Sequence, residues 1–155
     1  ELELSSVVKN VVEDVTPRIE ELGAKITYSV PDHIIISGNY TLLYSIFRNI
    51  VDNSLSHVGK GVQIHIDCTG QAPSYIYFSV YDNGPGVPAE CLPHLFERFY
   101  RVDKGRSRKL GGTGLGLSIV KHAVQFHGGT ITALNREGGG LEFQFSLARH
   151  LGEKL

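Results

Sequence analysis

The stretch from Asn39 to about Val58 restricts the fold more than any other part of the chain, because it is a helix with two opposed faces. Leu42, Leu43, Ile46, Phe47, Ile50, Val51 and Leu55 recur at three- and four-residue steps, and Asn39 is a good cap before them. An apolar face this continuous has to be covered by another layer of structure. The opposite side carries Asn49, Asp52, Asn53, Ser56 and His57, spaced so that they share one face. A solvated helix face usually carries Lys and Glu, and this one has neither. Two amides and a carboxylate on successive turns suit a hard cation and a phosphate chain, since amide oxygens can ligate magnesium and Asp52 can orient a water or polarise a hydroxyl. Taken alone, the same pattern also fits an ordinary helix surface.

The rest of the chain supplies the covering layer. Val7, Val8, Val11, Val12, Val15, Ile19 and Leu22 mark a first helix, ended by Gly23 and interrupted by Pro17, where a kink is expected. Strands are expected at 25–30 and 33–37, with Pro31-Asp32 turning between them, and again at 61–68 and 75–81. A third helix spans 115–126, and strands at 130–135 and 141–147 close the chain around Glu137-Gly138-Gly139-Gly140. Helices and strands mix without strict alternation. This predicts an α+β fold, a two-layer α/β sandwich, rather than a doubly wound parallel sheet. The stretch from Asp82 to Thr113 has little regular pattern, and inside a compact domain such a length fits a lid over a binding site.

Composition excludes several functions. The 155 residues suffice for one domain, and a formal net charge of -1 argues against nucleic-acid binding. Cys68 and Cys91 lack metal-type spacing, and the seven histidines form no His-x-x-x-His pair, so a zinc hydrolase is unsupported. No apolar run approaches the roughly 20 residues that cross a bilayer. The chain begins Glu1-Leu2-Glu3-Leu4 and contains no methionine, which is expected of a piece of a longer protein.

Three further segments point to a nucleotide. Asp82-Asn83-Gly84-Pro85-Gly86 directly follows a strand. A carboxylate there can accept from an exocyclic amine such as that of adenine, and the glycines let the backbone approach a flat ring. The same residues also fit a plain Asp-Asn-Gly turn. Gly111-Gly112-Thr113-Gly114-Leu115-Gly116-Leu117-Ser118 opens a helix, where free N–H groups and the helix's positive end favour an anion. It is neither a dinucleotide fingerprint nor a P-loop. Between them, Leu95-Phe96-Glu97-Arg98-Phe99-Tyr100-Arg101 precedes Lys104, Arg106, Arg108 and Lys109. The aromatics would pin one end of a lid and the cations would reach terminal phosphates; each cation also fits a basic solvated loop.

Together and in this order, these segments resemble the catalytic ATP-binding domain of bacterial sensor histidine kinases, in the superfamily shared with gyrase, the MutL mismatch-repair proteins and an ATP-driven chaperone. Arg48-Asn49-Ile50-Val51-Asp52-Asn53 is similar to the N box, Asp82 to Gly86 to the first glycine box, Phe96 to Arg101 to the F box, and Gly112 to Lys121 to the second glycine box. The resemblance covers almost the whole chain, so residues 1–155 are expected to form one domain with a lid at about 88–112. It implies a Bergerat-type sandwich, a mixed sheet of about five strands packed on three helices. It also implies ATP and Mg2+, with Asn49 and Asn53 facing the metal and phosphates and Asn53 as the direct ligand. Asp52 would assist proton removal from the accepting histidine. Asp82 would read the adenine amine, while Gly84 and Gly86 shape the slot. His57 and Tyr100 would also contact the nucleotide, Arg101 would reach the γ-phosphate, and Gly112, Thr113, Gly114, Leu115, Gly116 and Leu117 would hold the phosphate chain.

The chain departs from the family pattern where Asn-Ala-x-Lys-Tyr is usual and Asn53-Ser54-Leu55-Ser56-His57 stands. Ser56 replaces a lysine expected on the phosphates, and that duty would shift to Arg98, Arg106 or Lys109. His57 replaces an aromatic and can stack on the base, or be a partly exposed helix-end histidine. The helical hairpin bearing the phospho-acceptor histidine has no counterpart in this sequence. The resemblance implies a cytoplasmic domain of a membrane-anchored homodimeric sensor, monomeric by itself, whose partners are that hairpin and a response regulator. The alternatives are a superfamily ATPase, disfavoured because Asn49 stands where those enzymes carry a glutamate base, a serine kinase of the anti-sigma-factor type, disfavoured by its usual short lid and lack of an F box, and a nucleotide-binding pseudokinase module.

Overall fold

The apolar stripes of the helices and the alternation of the strands converge on one boundary between two layers. The computed structural model describes residues 1–102 and 115–150. Helix α1 (Leu4–Leu22) buries Leu4, Val7, Val8, Val11, Val15 and Ile19. The helix runs on through Pro17, which lacks the N–H for one turn's bond. It stops at Gly23, in the left-handed conformation at φ 61°, whose N–H reaches Glu20 O while Ala24 N–H reaches Ile19 O. This pair of bonds is a Schellman ending. Helix α2 (Tyr40–His57) starts as expected, with the Asn39 side chain accepting from Leu42 N–H at 3.0 Å. Its Leu43, Ile46, Phe47, Ile50, Val51 and Leu55 are buried. Helix α3 (Gly116–Phe126) lies against α2 and buries Val120, Ala123 and Val124.

The main sheet has five strands in the order β2-β4-β5-β7-β6. They are β2 (Lys25–Ser29), β4 (Gln63–Gln71), β5 (Tyr75–Asp82), β6 (Ile131–Asn135) and β7 (Leu141–Ala148). β2 and β4 are parallel, as a crossover through α2 requires, and the other neighbours are antiparallel. One face of the sheet is apolar: Ile64, Ile66, Ile76, Phe78, Val80, Phe143, Phe145 and Leu147 are buried. Phe47 of α2 meets this face with its ring edge against Phe78 and Phe145, at 5.5 and 5.6 Å between centroids. The other face carries Tyr75 and Tyr77, both exposed. The α+β sandwich with a mixed five-stranded sheet is therefore the observed architecture.

The two strands expected at 25–30 and 33–37 are both present, the second shortened to two residues, but they lie in different sheets. β2 joins the main sheet, whereas β3 (Ile35–Ile36) pairs antiparallel with β1 (Leu2–Glu3) in a separate two-stranded sheet. Ile34 and Ile36, both with no exposed surface, account for this, because their burial draws the segment toward the start of α1, where Leu4 N–H donates to Ile34 O. The stretch expected to be irregular also contains a 3-10 helix, Ala89–His94.

Candidate functional site

Asp82 ends β5 beside the start of β7 and is only 4% exposed. Its Oδ1 accepts from Gly84 N–H at 2.9 Å and Leu141 N–H at 3.2 Å, and its Oδ2 accepts from the Ser54 hydroxyl at 2.7 Å. A carboxylate offers about four lone-pair directions, so one on Oδ2 remains open. Ser54, buried on α2, thereby ties the helix to the strand end. His57 follows one turn later. Burial pushes its imidazole below the ordinary histidine value, and the nearby Asp82 charge only partly opposes this.

Close backbone approach explains the glycines around Asp82. A Cβ on Gly84 would lie 2.3 Å from Val58 Cγ2. Gly86 has φ +73°, and a Cβ there would lie 2.4 Å from Asn135 Oδ1. That amide is itself fixed, accepting from Val87 N–H and donating to Val87 O. Gly140, with φ +114°, would place a Cβ 1.9 Å from Asp82 O. Thus the turn before β7 presses directly on the end of β5.

The other end of the site lies between the polar face of α2 and the start of α3. Asn49 donates its Nδ2 to Ser45 O at 2.8 Å, which leaves Oδ1 toward α3, 3.1 Å from where a Cβ on Gly116 would stand. Asn53 is half-buried, and its side chain makes no hydrogen bond among the described residues. Helix α3 has no side-chain cap at Leu115, and its first turn closes through Ile119 N–H and the Ser118 hydroxyl, both on Leu115 O. The N–H groups of Gly116, Leu117 and Ser118 precede that first helical bond, as at any helix start. Among the described residues no group of three or more His, Cys, Asp or Glu could hold a metal. A cation here would therefore take amide oxygens and complete its shell with water and substrate oxygens, a habit that suits magnesium.

The remaining expected residues fall at the edges. Asp52 faces α1, with Oδ2 3.0 Å from Arg48 Nε and Oδ1 3.7 Å from Arg18 Nη1. Tyr100 stacks on His94 at 5.4 Å between centroids, and a hydrogen bond with Cys91 is the main reason its phenol is held above the ordinary value. Arg101 follows it, half-buried. Phe96 meets Phe143 at 5.9 Å and anchors this segment to β7, while Phe99 has φ 65° and is 64% exposed. Gly112, Thr113 and Gly114, and the cations Lys104, Arg106, Arg108 and Lys109, lie outside the described residues.

The structure thus brings Asn49, Asn53, His57, Asp82, Gly84, Gly86 and Gly116 to one side of the helical layer. Sequence reasoning missed Ser54, Asn135, Gly140 and Arg18. Ser54 carried a signal, as a polar residue in an otherwise apolar helical sector; the other three act through contacts far along the chain.

Comparison with known proteins shows the family and the fold. Residues 38–151 match the family model described as histidine kinase-, DNA gyrase B- and HSP90-like ATPase. Over 130 residues the chain is 36% identical to the signal transduction histidine-protein kinase BaeS of Escherichia coli, covering 84% of this chain and 28% of that protein. The nucleotide-free catalytic domain of the histidine kinase ThkA superimposes with a TM-score of 0.83 at 24% identity, covering 96% of this chain and 94% of that one, which shows the shared fold. Full-length ShkA, solved in complex with AMPPNP, gives a TM-score of 0.77 at 26% identity over 97% of this chain and 31% of that one. The chain spans less than two fifths of the length of curated relatives such as BaeS. Its matched segment and its fold place it in the histidine kinase-, DNA gyrase B- and HSP90-like ATPase family, on the side of the sensor histidine kinases.

Proposed function

We propose that this chain binds Mg-ATP and donates its γ-phosphoryl group to a histidine on a separate dimerisation hairpin of a longer sensor kinase, which then phosphorylates a response regulator. The observation that carries this reading is Asp82: a buried carboxylate, held by three donors, with one acceptor direction left among glycines. That direction suits an exocyclic amine, which only adenine among the common purine bases presents at this edge.

In this reading Gly84 and Gly86 admit the flat base and His57 lies along it. Its depressed pKa keeps the ring neutral at neutral pH, as stacking on a base favours. The amide oxygens of Asn53 and Asn49 would hold magnesium, which neutralises charge on the phosphates and orients them. The N–H groups opening α3, with Leu115, Gly116 and Leu117, receive phosphate oxygens, helped by the positive helix end. Gly112, Thr113, Gly114 and Arg101 would complete the phosphate grip from a lid at about 88–112. Transfer breaks the bond between the terminal phosphorus and its bridging oxygen, forms a phosphorus–nitrogen bond, and releases the imidazole proton. Asp52, pinned by Arg48, would orient that imidazole and ease the proton's loss. Asn49 cannot take a proton from water, so hydrolysis is disfavoured. No described helix is long and apolar enough to cross a membrane; the membrane-anchored dimer belongs to the longer protein.

The test is phosphoryl transfer from ATP to a separately supplied acceptor hairpin, run beside phosphate release without it. Transfer with negligible release is the expected result, and brisk release with no transfer contradicts it in favour of an ATPase. Nucleotide binding with neither activity would favour a pseudokinase module.

A further inference from the structure

A polar seam joins α1 to the flank of α2 beside the phosphate end of the site. Tyr44, Arg48, Asp52 and Ser56 follow one another at four-residue steps, so they form a single strip on that flank. The Tyr44 hydroxyl donates to Asp14 of α1 at 2.5 Å. Arg48 donates to the Tyr44 oxygen at 2.9 Å and to Asp52 at 3.0 Å. Arg18 of α1 ends the strip: its Nη2 donates to Ser56 Oγ at 3.0 Å, and its Nη1 stays 3.7 Å from Asp52.

The order of charges along the strip is negative at Asp14, positive at Arg48, negative at Asp52 and positive at Arg18. Arg48 takes the shorter contact with Asp52, so the strip ends in a positive pole at Ser56. Ser56 accepts from Arg18, and its own hydroxyl proton has no acceptor among the described residues. Asn53 lies three residues before Ser56, which puts their Cβ atoms about 5–6 Å apart on the helix surface. The amides of Asn49 and Asn53 and the N–H groups of α3 are neutral, whereas a magnesium-bound triphosphate is still an anion. A planar guanidinium has five N–H donors, of which Arg18 uses one closely, and its side chain is 41% exposed.

We propose that Arg18, with the Ser56 hydroxyl, is a phosphate-binding residue contributed by α1, supplying the positive charge that the polar face of α2 lacks. The inference rests on the Mg-ATP reading above and adds to Arg101 a second source of positive charge. It also makes the position of α1 against α2 a determinant of nucleotide affinity.

Calorimetry on this chain with Mg-ATP and, separately, with adenosine tests it. Arg18→Gln keeps a donor for Ser56 but removes the charge. It is expected to weaken Mg-ATP about tenfold, with the loss shrinking as salt rises, and to leave adenosine within about twofold. Arg18→Lys should retain Mg-ATP affinity to within about threefold, and Ser56→Lys placed on Arg18→Gln should recover most of the loss. Unchanged Mg-ATP affinity in Arg18→Gln, or an equal loss for adenosine, would overturn the proposal and leave Arg18 as a helix-packing residue. Wild-type chain that binds adenosine and Mg-ATP equally would overturn it as well. Wild-type chain that binds neither would remove the underlying function, an outcome separable from the failure of Arg18 alone.

Discussion

The two ends of the site are built in opposite ways. Around Asp82, every partner is buried or backbone: Ser54, the Gly84 and Leu141 N–H groups, and Gly140 pressed against the Asp82 carbonyl. At the other end, the Asn53 amide makes no hydrogen bond among the described residues, and the Asn49 amide oxygen stands beside Gly116 at the start of α3. The first end is part of the core and exists before any ligand arrives, so recognition there loses little entropy on binding. The second is a set of polar groups that a ligand would complete. Substitutions at the Asp82 end should therefore cost stability and binding together, and substitutions at the Asn53 end should cost binding alone.

The largest effect is expected at Asp82. Asp82→Asn keeps one oxygen for Gly84 and Leu141 but turns the open acceptor into a donor. ATP binding should weaken at least about 100-fold, and unfolding free energy should fall by about 1–2 kcal/mol. Calorimetry and denaturant melts measure the two, and unchanged affinity removes Asp82 from the site. Gly140→Ala comes next, because it forces a Cβ at φ +114° toward Asp82 O. A loss of about 2–3 kcal/mol is expected, together with weaker ATP binding. Asn53→Ala is the contrasting case: the magnesium dependence of nucleotide binding should flatten while stability changes by less than about 0.5 kcal/mol. An unfolded Asn53→Ala protein, or an identical magnesium titration, would break the contrast.

The smallest effect is pH-dependent. His127 is 1% exposed, with Nδ1 at 2.8 Å from Ala123 O and Nε2 accepting from Asn39 N–H at 3.1 Å. These bonds need the neutral ring, with its proton on Nδ1. Burial lowers its pKa, as it does for His57. The unfolded chain then binds more protons than the folded one below the ordinary histidine value of 6.5. The stabilisation is fully present above that pH and declines as pH falls below it toward the folded value. Melting temperature should drop between pH 7.5 and 5.5, and the drop should be smaller in His127→Gln. Equal drops in both would assign the pH dependence to other groups.

Much of this was legible from the sequence because it is local. The faces of α2 follow from helical spacing, and the apolar set Leu43 to Leu55 is the set that is buried, with Phe47 against Phe78 and Phe145. Asp82 could be singled out because a strand ends at it and glycines follow. Strand partners are not local, and so the sequence does not reveal that the two strands flanking Pro31-Asp32 lie in different sheets. In the sequence Gly140 is one glycine of the 137–140 connection, and only the fold reveals what its missing Cβ would strike. Arg18 sits in α1, 38 residues from Ser56, and no spacing rule connects them. The glycine string at 111–114 was the most legible motif of all, and it lies outside the described residues.

The central claim is that a buried carboxylate at the end of β5 reads an adenine amine. Calorimetric titration of the chain with ATP and with inosine triphosphate, in the same magnesium buffer, tests it most directly, since the two differ at the base position the carboxylate would meet. Inosine triphosphate places an oxygen there, which Asp82 would repel. The account predicts binding of ATP and at least about 50-fold weaker binding of inosine triphosphate, a difference of roughly 2.3 kcal/mol. Equal affinity for the two would contradict it.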